Sequence, residues 1–552
     1  MYYVDLTGSQ ILLTYSEVYQ DEKPDLISEI KKLNMHKAIS IICELIRVRD
    51  AYLDPIKGTF TEFKFPLELV LKKEMCDIRP KSPKEMLHNH MLKKDVHIIS
   101  VQMMFMLLKK IIVYGDYNTL SDDNYQITED DYKIIIKLQL IVAEIVSYKN
   151  KNKVDMNHFL YSTYHLNYQR NIENEFLRMY YMLEVISRDR KKFDKDVTTQ
   201  YKDYYGDFTK KYGFTPTEYS SLLFWQLKDY YSGINGLTYK SFWKNIRKDY
   251  GDNLIAEKAE KVIGILSSPI IEYKKWAIQS EDREWDFSRF LAFPFFQDYT
   301  GNIISLSDIT LQNAFFEKLF WLIRDCYPEE KRPMAFFGRL FEKYIQDVTQ
   351  NATKDRYIYI DEFEFGDKKE PKKSSDAYVR KDNKLLVVEA KGFSVLLDCM
   401  TKNERVEDNN KKLFISPILQ ADLCLSRLEH EQSQLDGVKS SYILSVTMDN
   451  INAVPNYYED IYKEIKNKKQ SKTAQYFFNF SIEEYEMLMY LMEQGHDIFE
   501  ILNEYYNNMK LKPFSTYLLD RYSDIGMTNF MERYYKEASD VMRSILFDEE
   551  NK

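Results

Sequence analysis

The feature that most constrains this sequence is a short apolar segment, residues 385–388, that follows a two-residue turn signal. Asp382 and Asn383 favour a tight turn between two β-rich stretches, so residues 376–391 are predicted to form a β-hairpin. Because the second strand is apolar on both faces, it is typical of a central strand that helices cover on both sides. The chain is therefore expected to contain a layered α/β unit around this strand.

The patterns on either side of the hairpin divide the 552 residues into three segments. Residues 1–290 read mostly as helices, with apolar residues at helical spacing. Residues 291–455 follow the order α-β-β-β-α-β, and residues 456–552 read as helical again. We therefore predict an α+β multidomain chain, with a mostly helical N-terminal domain, an α/β/α core and a helical C-terminal segment.

The composition restricts the cellular setting and the type of site. The five cysteines form no CxxC pair, which argues against a zinc site or a disulfide framework and favours a cytoplasmic protein. The first residues lack the pattern of a signal peptide. The longest uncharged apolar run, residues 98–108, is too short to cross a bilayer, so no membrane contact is expected.

The charge distribution is compatible with a nucleic-acid partner without requiring one. The whole chain has a net charge of −9, whereas many nucleic-acid-binding proteins are basic. The window 331–412 holds 18 basic and 15 acidic residues, so it is mildly basic within an acidic chain. Local charge matters more than the total, because screening removes the influence of charges beyond about 8–10 Å.

Counting outward from the predicted turn places three ionisable residues together. If the turn lies at 382–383, the pairing sets Asp376 directly opposite Glu389, with Cβ atoms about 4.5–5.5 Å apart. Side chains alternate along a strand, so Lys391 lies on the same face as Glu389. Two facing carboxylates repel each other unless a cation lies between them, and oxygen ligands suit Mg²⁺ or Mn²⁺. The hairpin therefore predicts a divalent-metal site beside an ammonium group.

An aspartate followed by an apolar strand that ends in Glu389-Ala390-Lys391 resembles the PD-(D/E)xK, or restriction-endonuclease-like, nucleases. The α-β-β-β-α-β order resembles the core of that family as well. The resemblance implies that Asp376 and Glu389 bind Mg²⁺ or Mn²⁺ together with the carbonyl of Ala390. It also implies that Lys391 assists the attacking water.

The resemblance covers residues 310–450 and suggests accessory residues. Many family members add a glutamate on the preceding helix, which Glu342 matches, and some add a glutamine on the following helix, which Gln420 matches. Both positions also fit ordinary solvated helix residues. The chain has Ser375 where the family name has proline.

Two short features beside the hairpin concern substrate and surface. Four lysines precede it in a loop and are candidates for phosphate contacts, although they fit a solvated loop equally well; they are Lys368, Lys369, Lys372 and Lys373. Glu362 and Glu364 alternate with phenylalanines on a strand and are expected to form an exposed face.

These features predict a metal-dependent nuclease, more an endonuclease than an exonuclease, with DNA favoured over RNA as substrate. The large helical region resembles the architecture of bacterial restriction and antiphage-defence effectors, where a second domain senses a trigger or recruits a partner. A protein partner or a homo-oligomer is therefore expected. Two alternatives remain: a ribonuclease, and a non-catalytic nucleic-acid-binding or scaffold subunit with a nuclease-like fold.

Overall fold

The computed structural model describes most of the chain and shows a mixed α and β protein, with 61% of the described residues in helices and 12% in strands. The coarse prediction of an α+β chain is thus confirmed. The described residues are 2–5, 8–11, 14–51, 99–149, 171–189, 193, 201–232, 236–250, 254–448, 455–522 and 524–547, apart from gaps at 20, 355, 368, 370, 393–394, 396–398, 400–401, 403, 430–434 and 509–512.

Helices dominate the described part of the chain before residue 293, as the sequence predicts. α4 is apolar around most of its circumference, so nearly all of its side chains are buried, and Phe105 shares an apolar core with Ile136 of α5. α8 begins with the capping box of Thr215 and Glu218. The elements are β1 (Tyr2–Asp5), β2 (Gly8–Ile11), α1 (Tyr15–Val18), α2 (Leu26–Ile30), α3 (Met35–Ala51), α4 (Val101–Tyr114), α5 (Glu129–Lys149), α6 (Ile172–Tyr180), α7 (Tyr204–Tyr212), α8 (Pro216–Tyr231), α9 (Ile246–Tyr250), α10 (Leu254–Leu266), β3 (Ser267–Pro269), α11 (Ile270–Gln279) and α12 (Ser288–Ala292).

The middle of the chain follows the predicted alternation of strands and helices. A small hairpin turns at Gly301, whose φ of 86° requires the left-handed conformation that glycine adopts most easily. The elements are β4 (Phe295–Gln297), β5 (Ile303–Ser305), α13 (Asp308–Asn313), α14 (Leu319–Arg324), α15 (Ala335–Ala352), β6 (Ile358–Asp361), β7 (Glu364–Phe365), β8 (Lys372–Lys373), β9 (Ala377–Lys381), β10 (Lys384–Lys391), α16 (Val406–Asn410), α17 (Ser416–Leu428) and β11 (Ser440–Thr447).

The remaining elements are α18 (Pro455–Lys468), β12 (Ala474–Ser481), α19 (Ile482–Glu493), α20 (Ile498–Asn508), α21 (Phe514–Leu519) and α22 (Asn529–Phe547). The prediction of a purely helical segment at 456–552 is wrong at β12. This strand pairs in parallel with β11, so the sheet contains residues from both sides of position 455. Its apolar run is short, and a short apolar run fits a buried strand and a buried helix equally well.

A five-stranded mixed sheet with the order β12-β11-β10-β9-β6 holds the predicted hairpin at its centre. β10, β11 and β12 are parallel, whereas β9 runs antiparallel to both β10 and β6. The parallel step from β10 to β11 passes through α17, as a crossover connection requires. The carboxyl ends of the three parallel strands therefore meet at one edge of the sheet.

The two faces of β10 pack into separate apolar cores. Val388 belongs to the core that contains Phe341 of α15, and Val387 belongs to the core that contains Ile418 of α17. This alternation is the expected consequence of an extended strand, whose successive side chains point to opposite faces. The prediction of a central strand covered by helices on both sides is confirmed.

None of the helices in the described ranges combines the length and the apolar character that crossing a bilayer requires.

Candidate active site

The hairpin has the register that the turn predicts. Lys384 pairs with Lys381 and, at the far end of the ladder, Val388 pairs with Ala377. Asp382 adopts a φ of 54°, a left-handed conformation that aspartate tolerates better than most residues. One step beyond the last pair, Asp376 lies just before β9, next in register to Glu389 near the carboxyl end of β10.

A backbone hydrogen bond fixes the first of these carboxylates. The Ala390 N–H donates to Oδ2 of Asp376 at 2.7 Å, and Gln346 on α15 donates to the Asp376 carbonyl oxygen at 3.0 Å. Asp376 is only 6% exposed and Glu389 only 2%. The Lys391 ammonium donates to Oε1 of Glu389 at 2.7 Å. The structure thus brings the three predicted residues together, as the hairpin argument requires.

The Ala390 carbonyl points to the side of β10 that carries Asp376. A strand residue directs its N–H and its C=O to the same neighbouring strand, and the Ala390 N–H is bonded to Asp376. The pairing of β9 with β10 ends at Ala377, so the Ala390 carbonyl lies beyond the end of this ladder. Carboxylate and carbonyl oxygens therefore share one side of the strand end.

The electrostatics of the carboxylates reflect their crowding. Burial raises the pKa of Asp376 well above its ordinary value, and repulsion from Glu389 and Glu342 raises it further. Burial also raises the pKa of Glu389, against the opposing attraction of Lys391. Burial by itself lowers the pKa of Lys391, but Glu389 and Asp376 outweigh it, so the pKa is raised and the ammonium stays charged.

The donor set fits a hard divalent cation. In the described parts of the chain, no three His, Cys, Asp or Glu side chains form a preformed metal cage. Mg²⁺ does not need such a cage, because proteins usually bind it through one or two carboxylates and leave several waters in place. Asp376, Glu389 and the Ala390 carbonyl supply oxygen donors of this kind, and a cation would relieve the repulsion between the two acids.

The predicted accessory residue Glu342 lies beside these residues. It belongs to α15, and burial raises its pKa against the attraction of Arg339 and Lys391. Close backbone packing brings this helix to the end of β10: a Cβ atom added to Gly392 would lie 3.4 Å from the Gly338 Cα atom. This packing carries Glu342 towards Glu389 and Lys391.

Glu362 belongs to the same region, which the sequence did not indicate. The prediction that Glu362 forms part of an exposed face is wrong, because its side chain is only 17% exposed. Its Oε2 atom lies 3.2 Å from Lys373 Nζ and 3.6 Å from Arg339 Nη2, and its charge acts on Glu389. No sequence signal distinguishes it from Glu364, which is exposed as expected. We call Glu342, Glu362, Asp376 and Glu389 the acidic cluster.

The remaining candidates are less closely connected to the acidic cluster. Lys373 reaches it through Glu362, whereas Lys369 and Lys372 are exposed in the neighbouring loop and strand, and Lys368 lies outside the described residues. Gln420 is exposed on α17, and none of the described residues hydrogen-bonds to its side chain.

Comparisons with known proteins assign no family to the chain. A scan against protein-family models finds no match. A search of curated proteins finds no matching sequence either. The residues and the geometry of the acidic cluster are therefore the basis for assigning a function.

Proposed function

We propose that this protein is a divalent-metal-dependent nuclease that hydrolyses phosphodiester bonds, with DNA as its substrate. One observation carries the proposal: two buried carboxylates, Asp376 and Glu389, meet at the carboxyl end of a central strand beside the ammonium of Lys391. Buried acids that repel each other are costly for folding, so their presence together favours a catalytic role.

The proposed chemistry assigns each group a task. A bound Mg²⁺ or Mn²⁺ would polarise the phosphoryl oxygens and lower the pKa of a coordinated water. Asp376, Glu389 and the Ala390 carbonyl would hold this ion, and the Ala390 N–H keeps the Asp376 carboxylate in position. Lys391 supplies positive charge for the negative charge that develops on the phosphate.

The architecture supports the finer assignment to the restriction-endonuclease-like group. The sheet has antiparallel β6, β9 and β10 followed by parallel β11, with α15 and α17 on opposite faces. The large helical regions around this core fit an effector of bacterial restriction or antiphage defence, which acts with a protein partner or as a homo-oligomer. That role is an analogy of architecture.

The deciding experiment compares the purified wild-type chain with an Asp376→Asn variant on plasmid DNA, linear duplex, single-stranded DNA and RNA. Each substrate is incubated with Mg²⁺, with Mn²⁺ and with EDTA. We expect metal-dependent cleavage of DNA that Asp376→Asn reduces by at least about 10³-fold, because a metal ligand is lost.

A matched control is Glu364→Gln, which neutralises an exposed carboxylate outside the acidic cluster and is expected to retain activity. Cleavage of RNA alone would indicate the ribonuclease alternative. Binding of nucleic acid without cleavage under any metal would indicate a non-catalytic subunit. Equal activity of wild type and Asp376→Asn would overturn the assignment of the site.

A further inference from the structure

Arg339 occupies a position that the nuclease proposal leaves unexplained. It lies one turn before Glu342 on α15, so the two side chains share a helix face. Its guanidinium forms an ion pair with Glu342 and lies 3.6 Å from Oε2 of Glu362. Only 22% of the Arg339 side chain is exposed, so most of it lies within the site.

The acidic cluster holds fewer cations than carboxylates. Among the described residues, its four acids face three cationic side chains, which are Arg339, Lys373 and Lys391. A divalent ion would bring two further positive charges into the same small space. Like charges repel, so an ion held by Asp376, Glu389 and the Ala390 carbonyl would weaken the attraction that keeps Arg339 at Glu342 and Glu362. The flexible Arg339 side chain can move away from the ion, whereas the Ala390 N–H holds the Asp376 carboxylate in place.

The chemistry of the guanidinium indicates where Arg339 would go. Its planar fork matches two oxygens of a phosphate as well as it matches a carboxylate. The phosphate of a substrate would lie at the same strand end, since the ion and Lys391 act there. A guanidinium displaced from Glu342 therefore has a second anionic partner within the site.

We propose that Arg339 is a further substrate-binding residue, which neutralises Glu342 and Glu362 before metal binds and transfers to phosphate oxygens of the substrate once metal is present. This inference rests on the proposed nuclease function. It predicts opposite effects of Arg339 on two ligands: the side chain hinders metal binding and promotes nucleic-acid binding. A purely structural arginine would not produce opposite effects.

The test uses the full chain with Arg339→Gln and Arg339→Lys. Lys343→Gln is the control, because Lys343 lies on the same helix but pairs with Asp347 at 2.8 Å, outside the acidic cluster. Mn²⁺ affinity is measured by calorimetry without nucleic acid. Affinity for a short DNA duplex is measured in Ca²⁺ at several salt concentrations, and kcat and KM are measured in Mg²⁺.

For Arg339→Gln we expect Mn²⁺ to bind about fivefold more tightly, because a competing charge is gone. We expect DNA to bind about tenfold more weakly, with the slope of log affinity against log salt reduced by about 1. Arg339→Lys keeps the salt slope and recovers only part of the affinity, since a lysine lacks the fork. The control is expected to match wild type in all three measurements.

Two results would overturn the inference while leaving the nuclease proposal intact. One is wild-type DNA affinity and salt dependence in Arg339→Gln. The other is weaker Mn²⁺ binding in this variant, which would mean that the arginine organises the carboxylates instead of competing with the metal. A wild-type chain that binds neither Mn²⁺ nor DNA would overturn both proposals.

Discussion

Two buried charge clusters in this protein use the same residue types in different arrangements. The first is the Arg178 cluster, in which Glu175, Glu483 and Glu486 surround a fully buried arginine. The second is the acidic cluster at the end of β10. In the Arg178 cluster the cation lies at the centre, whereas in the acidic cluster the acids meet one another and the cations lie around them.

The Arg178 cluster is closely hydrogen-bonded. Oε2 of Glu486 lies 2.8 Å from Arg178 Nη1 and accepts from Asn174 at 2.9 Å, while Oε1 accepts from Tyr344 at 2.7 Å. These residues come from α6, α15 and α19, so the cluster ties the helical region to the helix that carries Glu342. Its role is to hold three helices together.

The causes of the pKa shifts separate the two clusters. Burial raises the pKa of Glu486, and attraction to Arg178 opposes this rise. Burial raises the pKa of Asp376 as well, but there repulsion from Glu389 adds to the rise. Paired buried charges stabilise a fold only through close partners, whereas unrelieved repulsion is tolerated where function requires it. Repulsion from Glu175 and Glu486 also raises the pKa of Glu483, but attraction to Arg178 is the larger effect there. For Asp376, repulsion from Glu389 is larger than attraction to Lys391. We propose that this difference reflects a structural role for the Arg178 cluster and the proposed catalytic role for the acidic cluster.

The substitution with the largest expected effect disrupts the Arg178 cluster. Arg178→Met leaves the buried Glu175 and Glu486 and the half-buried Glu483 without their cation, and we expect a loss of about 3–5 kcal/mol in the free energy of unfolding. Asp376→Asn removes repulsion and is expected to keep or raise stability. Urea unfolding of both variants measures the effect. A loss of similar size in both would show that the two clusters serve the same structural purpose.

The second largest expected effect is stabilisation by a metal ion, which we expect to bind the acidic cluster and not the Arg178 cluster. Mn²⁺ at about 100 times its dissociation constant stabilises a protein that binds it by about 2.7 kcal/mol. We expect a rise in the thermal midpoint of wild type and Glu364→Gln, and a much smaller one in Asp376→Asn. Differential scanning fluorimetry with and without EDTA measures this. A full rise in Asp376→Asn would place the binding site elsewhere.

The smallest expected effect concerns the pH dependence of stability that Glu483 gives to the Arg178 cluster. Burial raises the pKa of Glu483 to about 7 in the folded state, against the attraction of Arg178. An acid whose pKa is higher in the folded state stabilises the fold while protonated, and this contribution is lost as pH rises from about 4.5, its ordinary value, to about 7. Glutamine does not titrate, so the Glu483→Gln variant lacks this pH dependence. The free energy of unfolding of the variant minus that of wild type is therefore expected to be larger at pH 8 than at pH 5. Equal differences at both pH values in urea unfolding would contradict the shifted pKa.

The sequence predicted the hairpin triad because short-range rules determine it. Asp382 and Asn383 set the turn, and the turn sets which residues face each other, so Asp376 and Glu389 could be paired by counting. Alternation then placed Lys391 on the same face. The apolar run at 385–388 indicated burial on both faces, which the two cores confirm.

Other parts of the site could not be predicted in this way. Glu362 and Arg339 are distant from the hairpin along the chain, and only the packing of α15 and the β6–β7 segment brings them to the acidic cluster. β12 was missed because its apolar run carries no period that separates strand from helix. Gln420 matched a family pattern, and its side chain is exposed on α17.

By itself the sequence determined the turn, the register and the local triad, since these follow from the geometry of neighbouring residues. The tertiary structure alone decided which distant charges share the strand end and which are neutralised elsewhere. Long-range contacts depend on how helices pack against the sheet, and the pattern of one segment does not contain that information. The packing of α15 against the end of β10 is the clearest case, because it brings Glu342 close to Asp376, Glu389 and Lys391.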